Sequence, residues 1–241
     1  MTRHVHLLSL SLVGALALGA CVDGDADAPM RIIGNVVPAS GCVIDSSSNT
    51  FYDDGVIQTD ALAGYIFTPS VVNEITLRDG EARGPKTIYV TGARVEIDFY
   101  DPAFDSLVVD ASLLRFQVPV AGSIDPGGGK AAFSFEVVPQ ELVVKIGERL
   151  ATITDARQRT VLDVRIQMVG TKGGGSVQSN VFRYPVEVCI GCLRSDAGAC
   201  ATLPQGFSAR TGGACQVEQD GITDCCDNGA TCPAVAPSGK N

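Results

Sequence analysis

Nine cysteines are the side chains of this sequence best equipped for covalent or metal chemistry, and they are unevenly spread. Cys21 and Cys42 stand alone near the amino end, whereas Cys189, Cys192, Cys200, Cys215, Cys225, Cys226 and Cys232 crowd together near the carboxyl end. Cys189-Ile190-Gly191-Cys192 is a C-x2-C, the spacing of a redox pair or of half a zinc site. A four-cysteine zinc site wants a second C-x2-C, and none follows. A thioredoxin-like pair wants a βαβ context, which the flanking residues do not supply. Structural disulfides are the stronger reading, and neither a metal site nor a cofactor is expected.

Other motifs are weaker. Gly127-Gly128-Gly129-Lys130 has the look of a phosphate loop, but the flanking spacing is wrong and Ala131 stands where Ser or Thr should be; a β-turn explains it better. Asp98, Asp101 and Asp105 could supply a carboxylate pair for hydrolysis. With Asp53, Asp54 and Asp125 they could also bind surface calcium, although acids that hydrogen-bond their own turns account for most of them. The stretch Tyr65 to Asn73, interrupted by Pro69, reads either as a binding ridge or as core packing with a turn.

The amino end decides where the chain goes. Arg3 is followed by an uncharged apolar run from Leu7 to Leu18, and Asp23, Asp25 and Asp27 come soon after. A spanning helix needs about 20 apolar residues, so this shorter run matches the hydrophobic segment of a cleavable signal. Leu18-Gly19-Ala20-Cys21 resembles the lipobox of bacterial lipoproteins, the recognition sequence of signal peptidase II. The resemblance implies that the Cys21 thiol receives diacylglycerol and that cleavage leaves Cys21 as the first residue. The resulting acyl chains exceed the two-signal requirement for stable anchoring. Val22, the residue after the cysteine, resembles an outer-membrane rather than an inner-membrane sorting signal.

Cleavage would remove one arginine, both histidines (His4 and His6) and no acid, leaving 17 basic and 27 acidic residues and a formal charge of −10. A mature chain without histidine has no Ser-His-Asp or Cys-His machinery and no imidazole ligands. Its charge argues against nucleic acid as a partner. No catalytic residue is assigned. The expected partners are the lipid bilayer, through acylated Cys21, and an envelope protein or polysaccharide.

Residues 21–41 read as a flexible tether, being acidic at their start and short of bulky apolar side chains. From about Cys42 to Val188 the hydrophobic period is two. Val95, Ile97 and Phe99 share one face of a strand within Ala93–Tyr100; Leu114, Phe116, Val118 and Val120 share another. Phe133, Phe135 and Val137, then Leu162 to Met168, then Phe182 to Val188, repeat the alternation. Further strands are expected near Gly64–Thr68, Val72–Leu77 and Thr87–Thr91. Strand number and spacing give an immunoglobulin-like antiparallel β-sandwich over 42–188. Pro185 places its last strand at an edge, and Thr171 to Ser176 form a long flexible hairpin before it. Pro139 followed by Leu142, Val143, Ile146 and Leu150 predicts one short helix. Residues 189–232 have too few bulky side chains for a core and are expected to form a small segment stapled by disulfides; 233–241 read as a disordered tail.

Parity sharpens the cysteine reading. Once Cys21 carries lipid, eight cysteines remain, of which seven lie in the tail and only Cys42 in the sandwich. One tail cysteine must therefore pair with Cys42, closing a loop worth around 4 kcal/mol. Adjacent Cys225 and Cys226 should take different partners, because a bond between neighbours is strained.

The early cysteine, Tyr65 to Asn73, the glycine-rich turn after Val161 and Phe182 to Cys192 together resemble uncharacterised lipoproteins abundant in myxobacteria. That resemblance spans most of the mature chain and implies the same architecture, a β-sandwich followed by a cysteine-rich tail, but no activity. The expected role is a non-enzymatic, structural or adhesive lipoprotein of the cell envelope, in the outer membrane. The alternative is a module binding carbohydrate, peptide or calcium at the sandwich loops.

Overall fold

The computed structural model describes residues 28–107, 110–153 and 158–227. Residues 1–20, Cys21, Cys232, the 233–241 tail and the side chain of Asp105 lie outside that description. In chain order the strands are β1 (Met30–Val36), β2 (Phe51–Tyr52), β3 (Gly55–Gln58), β4 (Tyr65–Phe67), β5 (Pro69–Asn73), β6 (Ile88–Phe99) and β7 (Arg115–Ile124). They continue with β8 (Lys130–Ala132), β9 (Phe135–Val138), helix α1 (Gln140–Ala151), β10 (Arg159–Lys172), β11 (Gly175–Gln178), β12 (Phe182–Cys189), β13 (Arg194–Ala199) and β14 (Thr223–Asp227).

The chain is an all-β sandwich with a disulfide-bonded C-terminal segment. Its larger sheet runs β3-β12-β10-β6-β7, with β11 also paired to β10; the smaller runs β2-β1-β5-β8. Period-two alternation makes the central strands. Leu162, Val164, Ile166 and Met168 of β10 are fully buried, as are Val186 and Val188 of β12. At roughly 1.5–3 kcal/mol per buried side chain of this size, these inward rows hold the sheet to its core. The alternate residues form ion pairs on the outer face: Arg165 with Asp98 and Glu96, Arg183 with Asp163, and Arg159 with Glu187.

Several elements differ from the sequence-based expectations. The tether does not extend to residue 41, because Met30, Ile32, Asn35 and Val36 of β1 are buried and β1 pairs with both β2 and β5. The acids at 23–27 dilute the composition of a segment whose second half alternates correctly. Thr87–Thr91 and Ala93–Tyr100 are not two strands: one strand, β6 (Ile88–Phe99), runs through both and shifts register between Val90 and Gly92. The larger sheet is not purely antiparallel, since β3 runs parallel to β12, and in a separate two-stranded sheet β13 runs parallel to β14. β12 is consequently internal, although β3 begins to pair only at Val186, so Pro185 sits where β12 has no second neighbour and its missing N–H leaves no gap.

The glycine run Gly173–Gly175 makes a tight hairpin, not a long loop. Lys172 pairs with Gly175 across Gly173 and Gly174, both with positive φ (+54° and +84°). Such a turn matches strand twist and favours glycine. α1 spans the expected positions: Leu142, Val143, Ile146 and Leu150 face the core, where the helix packs against β12 and the 3-10 turn Pro102–Leu107. Pro139 precedes its first turn, and the Glu136 side chain accepts from the Gln140 N–H at 2.9 Å. Of the described helices, none is long and apolar enough to cross a membrane.

Three cysteine pairs are described: Cys42–Cys215, Cys189–Cys192 and Cys200–Cys226. Cys215 is thus the tail partner of Cys42. Cys225 is also disulfide-bonded, to none of the other six described cysteines, and so differs in partner from its neighbour Cys226.

Candidate functional site

Two tyrosines stand on otherwise apolar inward faces, and a buried phenol hydroxyl needs a partner. Tyr65 on β4 and Tyr184 on β12 are buried with ring centroids 6.0 Å apart. Their hydroxyl oxygens lie 3.0 Å from each other. Asn35 of β1 donates from Nδ2 to the Tyr184 hydroxyl at 2.9 Å, and the Tyr65 hydroxyl donates to Oδ2 of Asp220 at 2.7 Å. Because the Tyr65 proton goes to the carboxylate, Tyr184 must donate to Tyr65. The chain Asn35, Tyr184, Tyr65, Asp220 is therefore polarised in one direction, an arrangement in which each bond strengthens the next.

Asp220 and Gln219 come from the cysteine-rich segment, and they fasten it to the sandwich. The backbone carries part of the joint: Gln58 N–H donates to Glu218 O at 3.0 Å and Asp220 N–H to Val56 O at 2.9 Å. The segment thereby covers the outer edge of β3. Gln219 is buried, and its amide spans both backbone groups of Ile66, accepting from N at 2.8 Å and donating to O at 2.7 Å. Asp220 also accepts from Val56 N–H at 2.8 Å and from Gln219 Nε2 at 3.0 Å. It has a positive φ of +55°, a conformation in which aspartate is commoner than most residues. Five residues before Asp220 the Cys42–Cys215 bond closes the same joint.

Burial raises the Asp220 carboxyl above the usual aspartate range, against the opposing pull of its hydrogen-bond donors. Burial likewise pushes the Tyr65 hydroxyl far up, and the Asp220 charge adds to it; Tyr184 is raised for the same first reason. A space beside the cluster, lined by Asn35, Thr68, Gln219 and Asp220 among others, has a volume of about 10 Å³. That is room for about one water. The cluster can lock the tail to the sandwich.

The sequence-derived candidates fall elsewhere. Asp53, Asp54, Asp98, Asp101 and Asp125 are all exposed. Asp98 is taken by Arg165, and Asp101 caps its own turn through Ala103 N–H at 2.9 Å. Gly127 and Gly128 form a turn whose N–H groups donate to Ile75 O and Asn73 O. Within Tyr65 to Asn73, the side chains of Tyr65, Phe67, Thr68, Ser70, Val71 and Asn73 are buried, the core-packing reading of that stretch. A concavity of about 440 Å³ opens beside Ile97, Asp98, Phe99 and Leu114. The Cys189–Cys192 pair lies near Glu187 on the outer face of β12. The lipobox residues Leu18, Gly19, Ala20 and Cys21 lie outside the described residues.

Sequence reasoning did not find Gln219 and Asp220, which are polar residues in a segment read as core-poor. The available signal was indirect: Tyr65 and Tyr184 each put a hydroxyl on an inward face and so required polar partners.

No family model matches the chain, and no curated protein matches it. A crystal structure of a protein from Archaeoglobus fulgidus is similar over 54% of this chain and 93% of that one, at 12% identity and a TM-score of 0.30. A likeness so low carries no argument about function.

Proposed function

We propose that this chain is a membrane-anchored lipoprotein of the cell envelope with a structural or adhesive, non-catalytic role, and that Cys21 bears the lipid. The observation that carries the proposal is Leu18-Gly19-Ala20-Cys21 at the end of an uncharged apolar run. The body of the protein fits such a role. It is tied by disulfides that suit an exported chain, and Glu218, Gln219 and Asp220 of the tail are hydrogen-bonded to the sandwich. β1 starts at Met30, leaving the eight residues 22–29 as the link to Cys21. Fully extended, eight residues reach at most about 29 Å, so the sandwich would be held close to the bilayer. Val22 favours the outer membrane as its address.

The test is metabolic labelling with a fatty-acid analogue, followed by membrane fractionation of wild type and Cys21→Ser. Label should be lost in the variant, with unprocessed precursor accumulating, and any chain that is nevertheless cut should leave the membrane fraction. A variant cut at the same bond and still membrane-bound refutes the proposal.

A second reading, a binding module, draws on the concavity beside Phe99, whose 440 Å³ falls within the range of small-molecule sites. Ligand-observed NMR against an oligosaccharide panel and Ca²⁺, repeated with Phe99→Ala, separates the two: a ligand whose signal the variant abolishes favours the module.

A further inference from the structure

The sequence offers a single C-x2-C and no second one, yet the fold completes it differently. Glu187 and Cys189 are two residues apart on β12 and share its outward face. The turn through Gly191, with φ of +67°, brings Cys192 back to them. A carboxylate oxygen of Glu187 and the two sulfurs all lie within 4.8 Å of one another. Cys189 is buried and Cys192 exposed, so the group has both a fixed side and an open one. Gln58 stands opposite Cys189 in the β3–β12 pairing. It is buried, and its Oε1 has no hydrogen-bond partner among the described residues. Arg159 stands opposite Cys189 on the other side and pairs with Glu187 at 3.1 Å.

We propose that this site has a second state: with the Cys189–Cys192 bond reduced, Cys189, Cys192 and Glu187 bind a thiophilic divalent cation of the Zn²⁺ type, with the Gln58 amide oxygen as candidate fourth donor. An external dithiol supplies the two electrons. It is oxidised to its own disulfide while the Cys189–Cys192 bond becomes two thiols that receive the dithiol's two protons. The cation then displaces those protons to solvent and forms two metal–sulfur bonds. Two thiolates and one carboxylate contribute three negative charges, which the divalent cation and Arg159 balance to zero. Ligand atoms on a tetrahedral ion with ordinary Zn–S and Zn–O lengths lie roughly 3.6–3.8 Å apart. The two sulfurs, bonded in the disulfide, must therefore move apart by roughly 2 Å once reduced, while the Glu187 oxygen, within 4.8 Å of them, must approach by at most about 1 Å. Cys189–Cys192 spans only three residues of sequence, against 173 for Cys42–Cys215, so opening it releases far less of the chain.

The test uses the full chain, reduced, freed of reductant without oxygen, and titrated with Zn²⁺ against a chromophoric chelator and with Co²⁺ for thiolate-to-metal absorption. Wild type, Cys189→Ser with Cys192→Ser, and Glu187→Gln are compared under identical reduction, which cancels any contribution from the other cysteines. Reduced wild type should take up one equivalent more than the double variant, and oxidised wild type should lack it. Glu187→Gln, which keeps the disulfide, should bind about tenfold more weakly. Equal uptake by reduced wild type and the double variant overturns the proposal. So does uptake that is the same in oxidised and reduced wild type, or full affinity in Glu187→Gln.

Discussion

Replacing Tyr65 with phenylalanine deletes one oxygen atom and keeps the ring, whose centroid lies 6.0 Å from that of Tyr184. That oxygen donates to Asp220 at 2.7 Å and lies 3.0 Å from the Tyr184 hydroxyl. Without it the Asp220 carboxylate remains turned inward, with only Val56 N–H and Gln219 Nε2 as donors. A hydrogen bond to a charged group contributes about 1.5–3 kcal/mol, so Tyr65→Phe should cost about 2 kcal/mol at neutral pH. Tyr184→Phe breaks bonds between neutral groups, and Asn35 Nδ2 keeps a weaker contact to the Tyr65 hydroxyl at 3.3 Å; its cost should be about 1 kcal/mol. With a urea slope of about 2 kcal/mol/M, the unfolding midpoint should fall by about 1 M and about 0.5 M respectively. The difference should narrow in acid, because a protonated Asp220 no longer needs a charge-assisted donor. Urea titrations followed by tyrosine fluorescence at neutral and acid pH measure both effects. A Tyr65→Phe cost equal to or below that of Tyr184→Phe refutes the directional chain ending on Asp220.

Removing Cys42–Cys215 as a pair of alanines frees a loop of 173 residues and should lower stability by about 5 kcal/mol in the chain-entropy treatment; a loss under about 1 kcal/mol by chemical denaturation contradicts that the joint restrains the unfolded chain. Asp220 has its folded pKa raised by burial, so its contribution is fully present below the unfolded aspartate value and is lost as pH rises through the folded one. Carboxyl-carbon NMR should show Asp220 titrating above an ordinary aspartate and higher still in Tyr65→Phe; a midpoint at or below the ordinary value rejects the burial. The same spectra should place Asp224, held by Arg210 hydrogen bonds, at about 2, and Arg210→Gln should return it toward normal. Gly170→Ala would put a Cβ 2.5 Å from Tyr89 O at the β6–β10 register shift and should destabilise by about 1–3 kcal/mol; an unchanged melting temperature shows that the two strands can part there.

What the sequence reveals follows how the side chains alternate. β10 and β12 are legible because each carries four or more apolar residues at period two against charged neighbours, and α1 because Leu142, Val143, Ile146 and Leu150 have helical spacing. β1 is not, since the aspartates before it mask a short alternating run. β3 is hidden by its pairing: Val56 and Ile57 look like any short apolar stretch, and nothing local says that they lie parallel to β12. The cluster at Asp220 depends on residues 35, 65, 184 and 220, whose proximity is created by the fold. Cysteine parity, by contrast, reaches across the chain because a covalent pairing must balance whatever lies between.

Glu218, Gln219 and Asp220 seal a strand that lies more than 150 residues earlier in the chain, and that separation governs when the domain can be finished. A polypeptide is made from its amino end, so β1, β3 and β4 emerge long before the groups that cover β3 and satisfy Tyr65. Until those groups arrive, the β3 edge stays open to any extended segment nearby, and Asn35, Tyr65 and Tyr184 have no terminal acceptor. Completion is thus deferred until Asp220 is free. Truncating the cysteine-rich segment would leave the sandwich permanently at that unfinished stage.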